Sequence, residues 1–141
     1  MIHAAVISDK DPESLAERIG LAAQPDRVKY RHTYFGLNIV QNNPLTHGLP
    51  SWAPFLDEPY WPMVGDVSRV KVLASAEVDG QDRPLIWTFE KGQGRVFASI
   101  LGHFQWTLDD PLWRAMCLRG IAWAAHRNDS LLIEAAAKEL P

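Results

Sequence analysis

"PLIWTFEKGQGRVFASILGH", residues 84–103, is two apolar runs joined by a turn signal. Pro84–Phe89 and Arg95–Leu101 are short and rich in branched and aromatic residues, and the glycines of "EKGQG" allow a tight reversal between them. That connection is too short for a crossover, so the two strands should pair antiparallel. Val96–Leu101 reads as a buried strand that stops at Gly102 and presents His103. Ligands of open α/β sheets bind at the carboxyl ends of strands. His103 is therefore the first candidate for a functional side chain, set against the plainer reading of a loop histidine making one hydrogen bond.

Working outward, "TLDDPLWRAMCLRGIAWAAHR" (residues 107–127) is the clearest helix. Asp110 is placed to cap it, Pro111 to open it, and His126 and Arg127 suit its negative end. A short terminal helix is expected over Leu131–Leu140. Upstream, Val70–Ala76 and Phe35–Val40 read as strands. "DPESLAERIGLAA" reads as a helix near 12–22, capped by Asp11 with Pro12 at its first position. The segment Gln41–Gly65 carries five prolines and reads as one long loop. Its aromatic residues Trp52, Phe55, Tyr60 and Trp61 argue against disorder. The order helix, strand, loop, three strands, helix points to α/β layers and a single domain over 1–141 rather than to a sandwich.

Composition narrows the function classes. The 141 residues are 47% hydrophobic and 22% charged with a net charge of −3, and the cations are scattered, so no nucleic-acid partner is expected. No apolar run approaches membrane-spanning length, so no membrane partner is expected either. Cys117, the single cysteine, excludes an internal disulfide and falls mid-helix among apolar residues, where packing is its expected role. There is no GxSxG, P-loop or dinucleotide fingerprint. "MIHAAVIS" lacks a signal peptide's basic start and reads as if it began inside a structural element. The compartment is thus open: cytoplasmic by default, periplasmic or secreted if a signal lies upstream.

Two further segments offer chemistry. His3, after Met1-Ile2, would stand at a strand end like His103 if those residues close a strand. "DEPYW", Asp57–Trp61, sets two carboxylates beside two rings; carboxylates accept hydrogen bonds from sugar hydroxyls, and rings stack on the apolar face of a sugar. The five histidines show no close ligand pair. No cofactor or metal residue is predicted from spacing, and a zinc-like divalent site assembled from distant strand ends is left as the alternative.

Together "NPLTHGLP", "DEPYW", "VLASAE", residues 84–103 and "DPLWRAMCLRGIAWAA" resemble the carboxyl-terminal part of the ThuA-like, trehalose-utilisation family. The resemblance runs from Ile2 to about Arg127. It implies a flavodoxin-like, class I glutamine amidotransferase-like three-layer α/β/α sandwich, expected here to lack its N-terminal strands, and a role in metabolism of disaccharides and their keto forms. His3 would occupy the place of the amidotransferase cysteine, so thiolate-dependent glutamine hydrolysis is not expected. His103 matches the family's Gly-His strand end, Glu58 and Tyr60 its DExY pattern, and His32 a histidine of that region. Asn43 stands where the family usually has histidine before proline. The resulting expectation makes His103, His3 and Glu58 catalytic and Tyr60, Asp57, Trp106, Asn43 and His32 substrate-binding, with a small carbohydrate as partner. The further partner expected is a second copy of the chain (a homo-oligomer) or a missing N-terminal half, the latter lost to a late start or carried on a separate chain. The alternative from another class is a non-catalytic module that binds carbohydrate or protein.

Overall fold

The expected hairpin is present and longer than its apolar core. In the computed structural model, which describes residues 1–127, β6 (Gln81–Lys91) and β7 (Gly94–Ser99) pair antiparallel from Lys91↔Gly94 to Ile86↔Ser99. The helix expected over 131–140 lies outside the described residues. Before the hairpin come α1 (Pro12–Ile19), β1 (Lys29–Tyr30), β2 (Thr33–Ile39), β3 (Trp52–Asp57), β4 (Tyr60–Trp61) and β5 (Lys71–Val78). After it come α2 (Gln105–Asp109) and α3 (Pro111–Ala124). The main sheet has five strands in the order β3-β2-β5-β6-β7, and β1 pairs separately with β4. The β5–β6 turn places Asp79 and Gly80 at φ 56° and 72°, the left-handed pair that a two-residue hairpin requires.

Reading residues 41–65 as one loop was wrong. Trp52–Asp57 is a strand, paired antiparallel with β2 from Asn38↔Trp52 to Thr33↔Asp57. Pro54 hid it, because proline removes a ladder donor; β3 lies at the sheet edge, where that loss is tolerated. Tyr60 and Trp61 are also in a strand, opposite Tyr30 and Lys29. The helix near 12–22 ends earlier than expected, because Gly20 turns the chain at φ 94°.

One helix lies against each face of the sheet. Trp87 of β6 is fully buried and donates its indole N–H to the Ile19 carbonyl at 2.9 Å, tying α1 to one face. Phe97 of β7 packs against Gly120 of α3, where a Cβ would meet the ring at 2.2 Å. Trp87 pairs with Ala98 and Thr88 with Phe97, so by strand alternation Trp87 and Phe97 face opposite ways. Both helices open as the sequence indicates: Asp11 accepts from Ser14 N and Asp110 from Trp113 N, each followed by proline.

Strand direction sets where chemistry collects. All pairs between the named strands are antiparallel. Hence β3, β5 and β7 run one way, and the carboxyl ends of β3 and β7 share an edge of the sheet with the start of β2. Met1 and Ile2 extend beside β7 in parallel, bridged at Ile2↔Ser99, with Ser99 N donating to Met1 O at 3.0 Å. The chain therefore delivers His3 to the same edge as His103, as the sequence suggested.

Candidate functional site

The two outer strands of the sheet meet at this edge, and one side chain joins them. Asp57, the last residue of β3, is fully buried. Its Oδ2 accepts from Gly102 N at 3.0 Å, and its Oδ1 accepts from His103 N at 3.2 Å and Glu58 N at 2.7 Å. The sheet thus curls until the end of β3 touches the residues that follow β7. Trp106 adds a second tie, donating its indole N–H to Leu56 O at 2.8 Å. Gly102 makes the corner at φ 128°, a conformation that favours glycine.

Three histidines and a tyrosine surround Glu58, which is only 6% exposed. Its Oε1 lies 3.0 Å from His32 Nε2. Its Oε2 lies 3.2 Å from His103 Nδ1, 3.4 Å from His3 Nε2 and 3.0 Å from the Tyr60 hydroxyl. His3 Nε2 and His103 Nδ1 are 3.1 Å apart. His3 sits at φ 49°, unusual for a residue with a Cβ, at the sharp turn from Met1-Ile2 into a 3-10 turn. Its Nδ1 is 2.9 Å from the Ile100 carbonyl, which can only accept. Nδ1 therefore carries the proton, and in the neutral ring Nε2 presents a lone pair to the cluster. Burial, and then the neighbouring Glu58 charge, raise the Tyr60 hydroxyl above its ordinary pKa, so it remains a proton donor to the carboxylate.

The structure brings His3, His32, Glu58, Tyr60 and His103 together, although they lie as much as 100 positions apart. Asp57 and Asn43 do not join them as ligand-facing groups. Both oxygens of Asp57 are occupied by backbone N–H groups, so it stands behind the site and positions it. Asn43 folds its Oδ1 onto Leu45 N at 2.9 Å in the β2–β3 connection and lines a separate hollow of about 450 Å³ with Thr88 and Trp123. Tyr60 is 5% exposed, so it offers its hydroxyl to the site and buries its ring. Trp106, 52% exposed, does present a ring. Sequence reading missed Phe104, which stacks on Trp106 at 4.3 Å and meets His103 and His32 edge-on at 4.5 and 5.1 Å. Its place between His103 and Trp106 in "HFQW" was the available signal.

A converging carboxylate, imidazoles and a phenol beside an open aromatic wall can bind hydroxyls, exchange protons or ligate a cation. Comparison with curated proteins finds no match. Among solved structures, a ThuA-like protein from Parabacteroides merdae is similar, with a TM-score of 0.73 at 23% identity. The similarity covers 88% of this chain and 58% of that one, so the chain spans less than two thirds of that protein's length. The ThuA family, described as trehalose utilisation, matches over residues 1–124. That match takes in every strand and helix named above, from the His3 turn through α3, together with every residue of the His–Glu cluster. The chain belongs to the ThuA, trehalose-utilisation family.

Proposed function

We propose that the corner around Glu58 binds a carbohydrate of the disaccharide or keto-sugar class and processes it by proton transfer. The observation that carries this reading is the convergence of His3, His103 and Tyr60 on one oxygen of a nearly buried carboxylate. In this assignment His103 is the acid–base group, since its side chain is 35% exposed and reaches Glu58 directly. Glu58 and His3 orient it and accept sugar hydroxyls, His32 steadies the other carboxylate oxygen, and the exposed Trp106 ring supplies a stacking face. Carbohydrate metabolism at the level of the family supports the substrate class. The parallel pairing of Met1–Ile2 with β7 and the sharp turn at His3 favour the flavodoxin-like, amidotransferase-like variant of the α/β fold.

A non-catalytic binding module is the second reading, favoured because both Glu58 oxygens already have partners within the protein. Trehalose and its keto derivative, offered to the parent chain and to His103→Ala and Trp106→Ala variants, separate the two. Binding retained but turnover lost in His103→Ala supports the enzyme. Binding lost in Trp106→Ala with no turnover in any variant supports the module. If neither sugar binds the parent, both carbohydrate readings fail.

A further inference from the structure

Three ligand-type atoms at the corner are spaced as a metal ion would space them. His3 Nε2, His103 Nδ1 and Glu58 Oε2 form a triangle with sides of 3.1, 3.2 and 3.4 Å. Bonds of about 2.0–2.2 Å to a tetrahedral zinc place its ligand atoms about 3.3–3.5 Å apart. The available protons permit the same arrangement. Because Ile100 O takes the His3 Nδ1 proton, Nε2 of the neutral ring is an acceptor, and it faces a second acceptor, the Glu58 carboxylate. Without a cation, the Tyr60 hydroxyl, 3.1 Å from His3 Nε2 and 3.0 Å from Glu58 Oε2, and His103 Nδ1–H supply the protons for these two acceptors. With His103 in its other tautomer, three lone pairs face one point that a cation fills.

The surroundings also have the outer shell that metal-ligating histidines and carboxylates usually carry. The far nitrogen of His3 is held by a backbone carbonyl, and the far oxygen of Glu58 by His32. Behind them, Asp57 fixes the backbone N–H groups of both Glu58 and His103.

We propose that His3, His103 and Glu58 bind a divalent transition cation of the zinc class, leaving one position open to water or a sugar oxygen beside the Tyr60 hydroxyl. Two imidazoles and one carboxylate suit zinc or cobalt and disfavour magnesium, which prefers an all-oxygen shell. The assignment deepens the carbohydrate reading and rests on it only for the identity of the open-position ligand. A metal there would polarise a keto or hydroxyl oxygen of the sugar.

The test is metal binding itself. The chain, stripped by a chelator, is titrated with Zn²⁺ against a chromogenic chelator and with Co²⁺ by visible absorption. One equivalent of zinc should bind, and cobalt should show the intense bands of a four-coordinate centre. His32→Ala, which removes only an outer partner, should weaken zinc by about 10–100-fold, and His103→Ala and Glu58→Gln by more than that. His47→Ala and His126→Ala should leave the affinity unchanged. Glu58→Gln keeps the side chain's shape and His103 is partly exposed, so the melting curves of the metal-free variants serve as the folding control. Absence of zinc binding, equal affinity in His103→Ala and Glu58→Gln, or only six-coordinate cobalt would overturn the metal site. Sugar binding to the metal-free chain would then leave the carbohydrate reading standing, whereas zinc bound with no sugar bound would uphold the metal and remove the sugar.

Discussion

Replacing Asp57 with asparagine should loosen the corner and destabilise the fold together. The fully buried carboxylate accepts three backbone N–H bonds, from Glu58, Gly102 and His103. An amide retains one accepting oxygen and turns an NH₂ group toward at least one of those donors. If the oxygen keeps the Oδ1 position, the Gly102 bond is lost. A hydrogen bond to a charged group contributes about 1.5–3 kcal/mol, and an orphaned buried donor costs about 1–3 kcal/mol. The neutral amide avoids some of the desolvation of a buried charge, so a net loss of about 2–4 kcal/mol is expected. For a chain of this size that corresponds to a fall in melting temperature of roughly 10 °C. Thermal unfolding by circular dichroism measures it, and hydrogen exchange at the Gly102 and His103 amides localises it. A melting temperature within about 2 °C of the parent, about half a kcal/mol by the same scaling, with those amides still protected, would refute the claim that Asp57 joins β3 to β7.

Other consequences are independent of that corner. Gly120→Ala puts a methyl 2.2 Å from the Phe97 ring, and the overpacking should cost about 1–3 kcal/mol in denaturant titration. Burial pushes the Cys117 thiol up to about 12, so a thiol reagent at pH 8 should leave the folded chain unmodified and label it once denaturant is added. The hydrogen bond from Arg69 and its charge hold the Glu17 carboxyl below its ordinary value. Its contribution is therefore present above that value and lost as pH falls through the lowered one. Both partners are exposed, so Glu17→Gln should barely change melting at pH 7 and physiological salt, and the small difference should vanish in acid.

The parts of the fold legible in the sequence were those written in local chemistry. Gly92 and Gly94 marked the β6–β7 turn, and Asp110-Pro111 marked the start of α3. β3 was illegible because Pro54 speaks against a strand unless the strand is known to be an edge, which is a tertiary fact. The site was half legible. His3 and His103 were read from strand ends and Glu58 from the carboxylates and rings of "DEPYW", and strand direction does gather them. The neighbours Asp57 and Glu58 look alike in sequence, yet Asp57 spends both oxygens on backbone N–H groups while Glu58 meets the imidazoles. Nothing local could say that the two outer strands of the sheet would touch, and that contact is what pairs His103 with Glu58 across 45 positions.

The central claim, that carbohydrate binds at the corner around Glu58, is tested most directly by imidazole nitrogen NMR during a sugar titration. The five histidines supply both the probe and its control. On adding trehalose or its keto derivative, the ring nitrogens of His3, His32 and His103 should shift together along one saturable curve, while those of His47 and His126 stay fixed. Saturable binding with the three cluster histidines unmoved would place the sugar elsewhere and contradict the account.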